Sequence, residues 1–334
     1  MTTPTKTLRS VVISGTGSYA PEKVLTNADM EKLVDTSNEW IVQRTGIKER
    51  RMVAAGESTS DLCERAARKA LDAARVAPAE INMIIVATIS PDMLMPSTAC
   101  FLQRRLGAHN AGCYDLSAAC SGFVYGLVMA SSTIASGAMN KVLVVGAESL
   151  TRFLDFKDRA SCILFGDGAG AAVVEVSADG KSDVLYTEMG SDGTQAEVLW
   201  IPGGGSRWPA CPQTLDERKH YISLDGKAIY KFAVKKFVDL IENSAKAMGI
   251  AVDEIDFIVP HQVNLRIIES AIEKLKFPMD RVMVNIDRYG NTSAGSVPIA
   301  LDEAVRAGRI ERGDRIVLPA FGAGLTWGCV ALRW

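Results

Sequence analysis

Short apolar runs rich in β-branched residues recur along the chain, separated by longer stretches whose apolar positions repeat every three or four residues. The runs "INMIIVAT" (81–88), "KVLVVGAE" (141–148), "IDFIVPH" (255–261) and "DRIVLPAFG" (314–322) have the pattern of strands buried on both faces. Between them, "TSDLCERAARKALDAARV" (59–76), "IYKFAVKKFVDLIENSAKAMG" (229–249) and "VPIALDEAVRAG" (297–308) have helical spacing. Strand and helix alternating in this way predict α/β layers with parallel or mixed sheets.

The pattern occurs twice. Ile85 precedes Ile258, and Leu143 precedes Ile316, by the same 173 positions (258 − 85 and 316 − 143), each pair in matching runs. "GAGAAVVEV" (168–176) and "TWGCVALRW" (326–334) match as closing strands. Three pairs in one order predict two related α/β halves, 1–178 and 223–334. They are joined by 179–222, where periodicity fades and "IPGGGSRWPACPQ" (201–213) is rich in Gly and Pro. A solvated loop is the bland reading of that connection, whereas Trp200 and Trp208 favour a packed excursion or lid.

At 334 residues, 48% of them hydrophobic, the chain is long enough for a large core and for more than one compact unit. A formal net charge of −2 gives no global attraction for nucleic acid or an anionic membrane surface, so neither is expected as a partner. Seven cysteines, at 63, 100, 113, 120, 162, 211 and 329, form no C-x-x-C pair, and "MTTPTKTLRSVVISGTG" lacks an export core. Free thiols in a reducing cytoplasm are the expectation. No apolar stretch approaches the ~20 residues of a spanning helix, and three histidines without clustered Cys spacing make a metal site unexpected.

Candidate chemistry starts with Cys120 in "SAACSGFVYG" (117–126). The following residues are apolar on nearly every face, which predicts a buried helix, and Cys120 at its start would feel the positive helix end that favours a thiolate. An inert core cysteine is the commoner fate of that residue type. His261 follows Pro260 at the end of a strand, at the edge where open α/β sheets hold ligands. A satisfied core histidine is the alternative there. Asn291 in "RYGNTSAGSVP" (288–298) reads alone as a turn residue, but its loop is the second-half counterpart of the Cys120 loop. Symmetry then brings the two toward one interface.

Those residues sit in long motifs that resemble the β-ketoacyl-acyl-carrier-protein synthase III family of condensing enzymes. They are "TNADMEKLVDTSNEWIVQRTGIKERR" (26–51), "SAACSGF", "DRASCILFGDGAGAAV" (158–173), "VPHQVNLRII" (259–268), "RYGNTSAGSVP" and "FGAGLTWG" (321–328). The resemblance implies an α/β thiolase-like fold in which two related halves form a layered α-β-α-β-α sandwich. It implies a catalytic Cys120, His261 and Asn291, with an oxyanion hole from the backbone of Cys120 and Ala323. The implied reaction is a decarboxylative Claisen condensation of an acyl-CoA with malonyl-acyl carrier protein, through an acyl-cysteine, with no metal or other cofactor. A related enzyme priming a secondary-metabolite pathway is the alternative.

By the same resemblance Trp40, Arg44, Arg159, Gly226, Asn264 and Phe321 bind substrate. Met95 reaches across a homodimer interface into the partner's acyl pocket. The carrier protein meets Gln262, Arg266, Lys231 and Lys274; Lys227, Lys231 and Lys235 recur on one helical face, although a solvated lysine face is as good a reading of each. Glu273 departs from relatives that have lysine there. Three readings from other classes compete. "GTGSYAP" (15–21) partly echoes a dinucleotide fingerprint but lacks its third glycine; a Cys–His hydrolase would clear the acyl-cysteine with water; a non-catalytic protein would not be acylated.

Overall fold

The computed structural model describes residues 8–181 and 183–334. Residues 1–7, part of the stretch read for an export signal, lie outside it. The principal elements, in chain order, are β1 (Val11–Tyr19), α1 (Asn38–Thr45), α2 (Thr59–Ala74), β2 (Met83–Ala87), α3 (Thr98–Leu106), β3 (Gly112–Leu116), α4 (Gly122–Ala135), β4 (Lys141–Ser149) and β5 (Asp167–Val176). The remainder are β6 (Val184–Ser191), α5 (Gly226–Met248), β7 (Phe257–Ile258), α6 (Leu265–Leu275), α7 (Ser296–Arg306), β8 (Arg315–Gly322) and β9 (Thr326–Arg333).

These strands build two sheets of one topology. The first has the order β1-β5-β4-β2-β3 and the second β6-β9-β8-β7. In the first, β1–β5 and β5–β4 are antiparallel while β4–β2 and β2–β3 are parallel. In the second, β6–β9 and β9–β8 are antiparallel and β8–β7 is parallel. The fifth position shrinks there to a single parallel bridge between Ile258 and Val282. Ile85 faces Val144 in one sheet and Ile258 faces Val317 in the other, so the 173-residue interval holds down to strand register.

Three apolar clusters separate five layers. Leu62 and Ala66 of α2 and Leu102 of α3 pack on Ile84, Leu143 and Val173 from the outer face of the first sheet. Phe123 and Leu127 of α4 and Val297 and Leu301 of α7 lie between the sheets, against Ile85 and Val144 on one side and Ile316 and Leu318 on the other. Phe237 of α5 and Ile268 of α6 cover Ile258 and Val317 from outside. Successive strand residues point to opposite faces, so Ile84 belongs to the outer layer and Ile85 to the inner. Both faces being covered by helix is why these strands read as unbroken apolar runs.

Part of 179–222 departs from the expected connecting excursion, because Val184–Ser191 is β6, the edge of the second sheet. Its burial alternates along the strand, so water takes every second side chain and the run lacks the signature of a doubly buried strand. The remainder of that stretch is mostly exposed, although within it the Trp200 and Trp208 rings meet edge to face at 5.6 Å. The dinucleotide echo also disappears. Gly15 and Gly17 lie within β1, where a Cβ at either would come within 2.4 Å of the Ala74 or Ala70 backbone nitrogen of α2. The glycines let a helix press on a strand, and there is no phosphate-binding turn.

Candidate active site

Two short turns of matching conformation meet at the centre of the molecule. The 3₁₀ turn Ala119–Ser121 leads into α4, and Ser293–Gly295 leads into α7. Ala119 (φ +46°) and Ser293 (φ +47°) occupy the left-handed region at corresponding places, a conformation uncommon for residues other than glycine. The two turns pack against each other. Cys120 lies on the first turn and lines a cavity of about 200 Å³ together with Ile89, Leu150, Phe165, Trp200, Ser293 and Ala323.

Cys120 is 5% exposed, and the expected depressed thiol is not what the closed site provides. Burial pushes Cys120 up to about 12, helped by the charge of Glu148 and opposed by the Ser293 hydroxyl. A rise from 9 to about 12 is worth about 4 kcal/mol, against the up to ~2 kcal/mol a helix end supplies. Burial wins, and the resting group is a thiol.

The turn after β8 is fitted onto the cysteine backbone. A Cβ at Gly322 would lie 2.6 Å from the Cys120 backbone nitrogen, so only glycine permits this approach. The β8–β9 ladder ends at Gly322 and Thr326, leaving the Ala323 N–H outside strand pairing. Thr326 fastens the two segments: its hydroxyl donates toward the carbonyls of Ala118 and Ala323, both at 3.1 Å.

His261 extends the second sheet beyond β7, its N–H donating to the Pro319 carbonyl at 3.0 Å. Its ring stands edge-on to Phe321 at 5.7 Å. Nδ1 is 2.6 Å from the Ser296 hydroxyl at the start of α7, while Nε2 is buried without a partner among the described residues. Burial lowers the imidazole to about 3, so the ring is neutral. Asn291 accepts the Ser293 N–H through Oδ1 at 2.8 Å, which turns its amide nitrogen away from that turn. Segment 291–296 thus touches all three residues: Asn291 opens it, its turn packs on that of Cys120, and Ser296 holds His261.

A second cavity, about 820 Å³, is lined by Trp40, Arg44, Arg159, Gly226, Asn264 and Arg266 among others. It adjoins the first, since Leu164 and Leu224 line the outer and Phe165 and Ile222 the inner. The guanidinium groups of Arg44 and Arg159 each lie 4.8 Å from the Trp40 ring centre. Asn264 also caps α6 and donates to the Arg44 carbonyl at 3.0 Å, joining α6 to α1. Lys227, Lys231, Lys235 and Lys274 are exposed on α5 and α6.

Three expected positions fall elsewhere. Gln262 is 1% exposed and is bonded to the Pro260 and Met283 carbonyls and the Asn285 N–H; it braces the core and offers nothing to a carrier protein. Phe321 lines neither cavity and buttresses His261. Met95 is 84% exposed, beside Leu94 at 85%, so the single chain does not bring it to the cavity. Sequence reading misses Ser293, Ser296 and Glu148. A lone carboxylate closing the apolar run "KVLVVGAE" was the available signal for the last.

Five α/β layers with a thiol, a neutral imidazole and a carboxamide gathered at the join of two halves make a condensing enzyme of thiolase-like fold. Comparison with known proteins narrows this. Residues 114–193 match the family description 3-oxoacyl-[acyl-carrier-protein (ACP)] synthase III, and 245–334 match its C-terminal counterpart. A β-ketoacyl-[acyl-carrier-protein] synthase III from Caldanaerobacter subterraneus subsp. tengcongensis is 50% identical over 322 residues, 96% of this chain and 97% of its own. The crystal structure of 3-oxoacyl-[acyl-carrier-protein] synthase III from Aquifex aeolicus superposes with a TM-score of 0.90 at 46% identity, covering 97% of this chain and all of that one. The priming β-ketosynthase of the R1128 polyketide pathway superposes at 0.91 with 35% identity, covering 99% and 98%. The chain belongs to the 3-oxoacyl-[acyl-carrier-protein] synthase III family.

Proposed function

We propose that the protein condenses an acyl-CoA with malonyl-acyl carrier protein, losing carbon dioxide and giving a 3-oxoacyl-acyl carrier protein, by way of an acyl group on Cys120. The observation that carries this is segment 291–296, which ties the thiol turn, the carboxamide and the imidazole into one unit. Acylation forms the Sγ–C bond and releases CoA, with the carbonyl oxygen facing the N–H groups of Cys120 and Ala323. In the second half-reaction, Nε2 of His261 and the amide nitrogen of Asn291 donate to the malonyl thioester oxygen as it gains enolate charge. These donors supply the charge stabilisation, and the reaction asks for no metal.

Nε2 donates only in the tautomer whose Nδ1 is an acceptor, so the Ser296 hydroxyl donates to Nδ1 and fixes that tautomer. Ser296→Ala is expected to slow decarboxylation about five-fold, the equivalent of one ~1 kcal/mol hydrogen bond, and to leave acylation unchanged. Release of labelled carbon dioxide from malonyl carrier protein, followed beside mass gain at Cys120, separates the two.

The outer cavity fits CoA: Trp40 offers a stacking face and Arg44, Arg159 and Arg266 face phosphate. Lys227 lines this cavity, and with the other exposed lysines of α5 and α6 it offers positive charge to an acidic carrier protein delivering malonyl. Seven cysteines, all free, suit the reducing cytoplasm. The exposed apolar triplet Met93–Leu94–Met95 is the surface of a homodimer in which Met95 closes the partner's acyl cavity. Met95→Phe is expected to shift preference toward shorter acyl-CoAs in a competition read by mass at Cys120; an unchanged chain-length profile would remove Met95 from the cavity wall.

The experiment that tests the whole reading offers a panel of acyl-CoAs, weighs the adduct on Cys120, then adds malonyl carrier protein and looks for the 3-oxo product. An adduct cleared by water instead of carbon would favour a hydrolase. The likeness to a polyketide-priming enzyme favours one second reading, the same condensation in a secondary pathway, which a preference for unusual starters in this panel would support.

A further inference from the structure

Glu148, near the carboxyl end of β4, is fully buried, and neither half-reaction as described above uses it. It accepts hydrogen bonds from the hydroxyls of Ser90 at 2.5 Å and Thr88 at 3.1 Å and from the Ser90 N–H at 3.1 Å and the Ile89 N–H at 3.2 Å. The Ser293 turn presses on the same strand two residues away, where a Cβ at Gly146 would lie 2.1 Å from the Ala294 carbonyl oxygen. Ser293 also lines the cavity beside Cys120. Its hydroxyl lies against both the Cys120 thiol and the Glu148 carboxyl, yet is buried without a well-formed hydrogen bond to either.

A thiol, an uncommitted hydroxyl and a carboxylate in that order make a proton path. We infer that Glu148 receives the Cys120 thiol proton, relayed by the Ser293 hydroxyl, as the sulfur attacks the acyl-CoA carbonyl. The inference rests on the acyl-Cys120 reading above. The Sγ–H bond breaks as Sγ–C forms; the thiol proton passes to Ser293 Oγ while the Ser293 hydroxyl proton passes to Glu148. When the tetrahedral intermediate collapses, the carbon–sulfur bond to CoA breaks and the proton returns by the same route to the leaving sulfur. Acyl-Cys120 and CoA thiol are the products, and the carboxylate is regenerated.

The alternative acceptor is weaker. Burial holds His261 at about 3 but lifts Glu148 to about 7, so the carboxylate is the stronger base. The groups acting most strongly on Glu148 besides burial are donors, Ser90, Ile89, Ser293 and Thr88. Facing it are the thiols of Cys120 and, from α2, Cys63, the latter also under the field of Asp92 and Asp115. Acylation by this route gains rate as pH rises through about 7, since only the ionised carboxyl accepts a proton.

Ser293→Ala interrupts the path and keeps the carboxylate in place. Alanine already holds the matching left-handed position at Ala119, so the turn tolerates it. Acylation by acyl-CoA, read in a rapid quench as mass on Cys120, is expected to slow about 100-fold, the lower range for a general base, and to lose its rise near neutrality. Release of carbon dioxide from malonyl carrier protein by enzyme acylated beforehand in a long incubation is expected to be unchanged, because decarboxylation precedes expulsion of the Cys120 sulfur and moves no proton through Ser293. Glu148→Gln should act alike where it folds. An acylation rate like that of the unaltered protein, or equal losses in acylation and in carbon dioxide release, overturns the relay. Failure of the unaltered protein to acylate at all would instead remove the Cys120 reading beneath it.

Discussion

Cys120→Ser is expected to form no adduct with any acyl-CoA and to lose condensation by about 10⁴-fold or more, the scale on which removing a nucleophile acts in other covalent enzymes. Serine keeps the size and the backbone N–H of the position, so the cavity and the Ala323 approach persist. What it loses is a polarisable sulfur whose conjugate base forms far more readily than an alkoxide. The outer cavity is untouched because Trp40, Arg44 and Arg159 lie on α1 and beyond the inner wall. CoA affinity by calorimetry should therefore match the unaltered protein. A stable acyl mass on the serine variant, or on another of the seven cysteines in the unaltered protein, would move the nucleophile elsewhere.

The five-layer fold was legible because helices cover both faces of both sheets. Ile84 and Ile85 are then buried in different layers, and the strand Met83–Ala87 needs no polar interruption. β6 was illegible for the complementary reason: an edge strand with one wet face carries no such run. In the candidate site, what was legible through the correspondence of two loops was that the Cys120 and Asn291 segments meet; the roles given to Cys120, His261 and Asn291 came from motifs. Gln262 was misread because adjacency says nothing of direction. Along extended chain, neighbouring side chains diverge, so His261 turns to Ser296 and Gln262 to the Met283 carbonyl. The state of the thiol was misread because a helix end is local and visible, whereas burial depends on residues such as Ser293 and Phe165 far along the chain.

Burial serves the two half-reactions differently. It makes acylation harder, since a protonated sulfur must surrender its proton in a closed space. On the proposed mechanism it makes decarboxylation easier, since charge developing on the malonyl thioester oxygen would meet His261 and Asn291 in surroundings where a hydrogen bond is stronger than in water. Neutral donors suit that task. A cationic imidazole would bind the malonyl carboxylate that must leave as carbon dioxide, and the desolvation that lowers His261 prevents this.

His261→Ala and Asn291→Ala are each expected to slow decarboxylation by about 10²- to 10³-fold, as removal of one oxyanion donor does elsewhere, while acylation of Cys120 proceeds. The double variant should lose less than the product of the two, because both donors serve one oxygen. The pH profile adds a sharper requirement. His261 takes a proton only below about 3, and a carboxamide does not titrate at all. The decarboxylation step, measured on enzyme already acylated, should therefore show no imidazole limb as pH rises from 5 to 8, around the ordinary histidine value of ~6.5. A limb near that value that vanishes in His261→Ala would mean the working imidazole is charged, and the donor role assigned to its neutral form would fall. Loss of acylation in Asn291→Ala would equally displace that residue from the second half-reaction to the first.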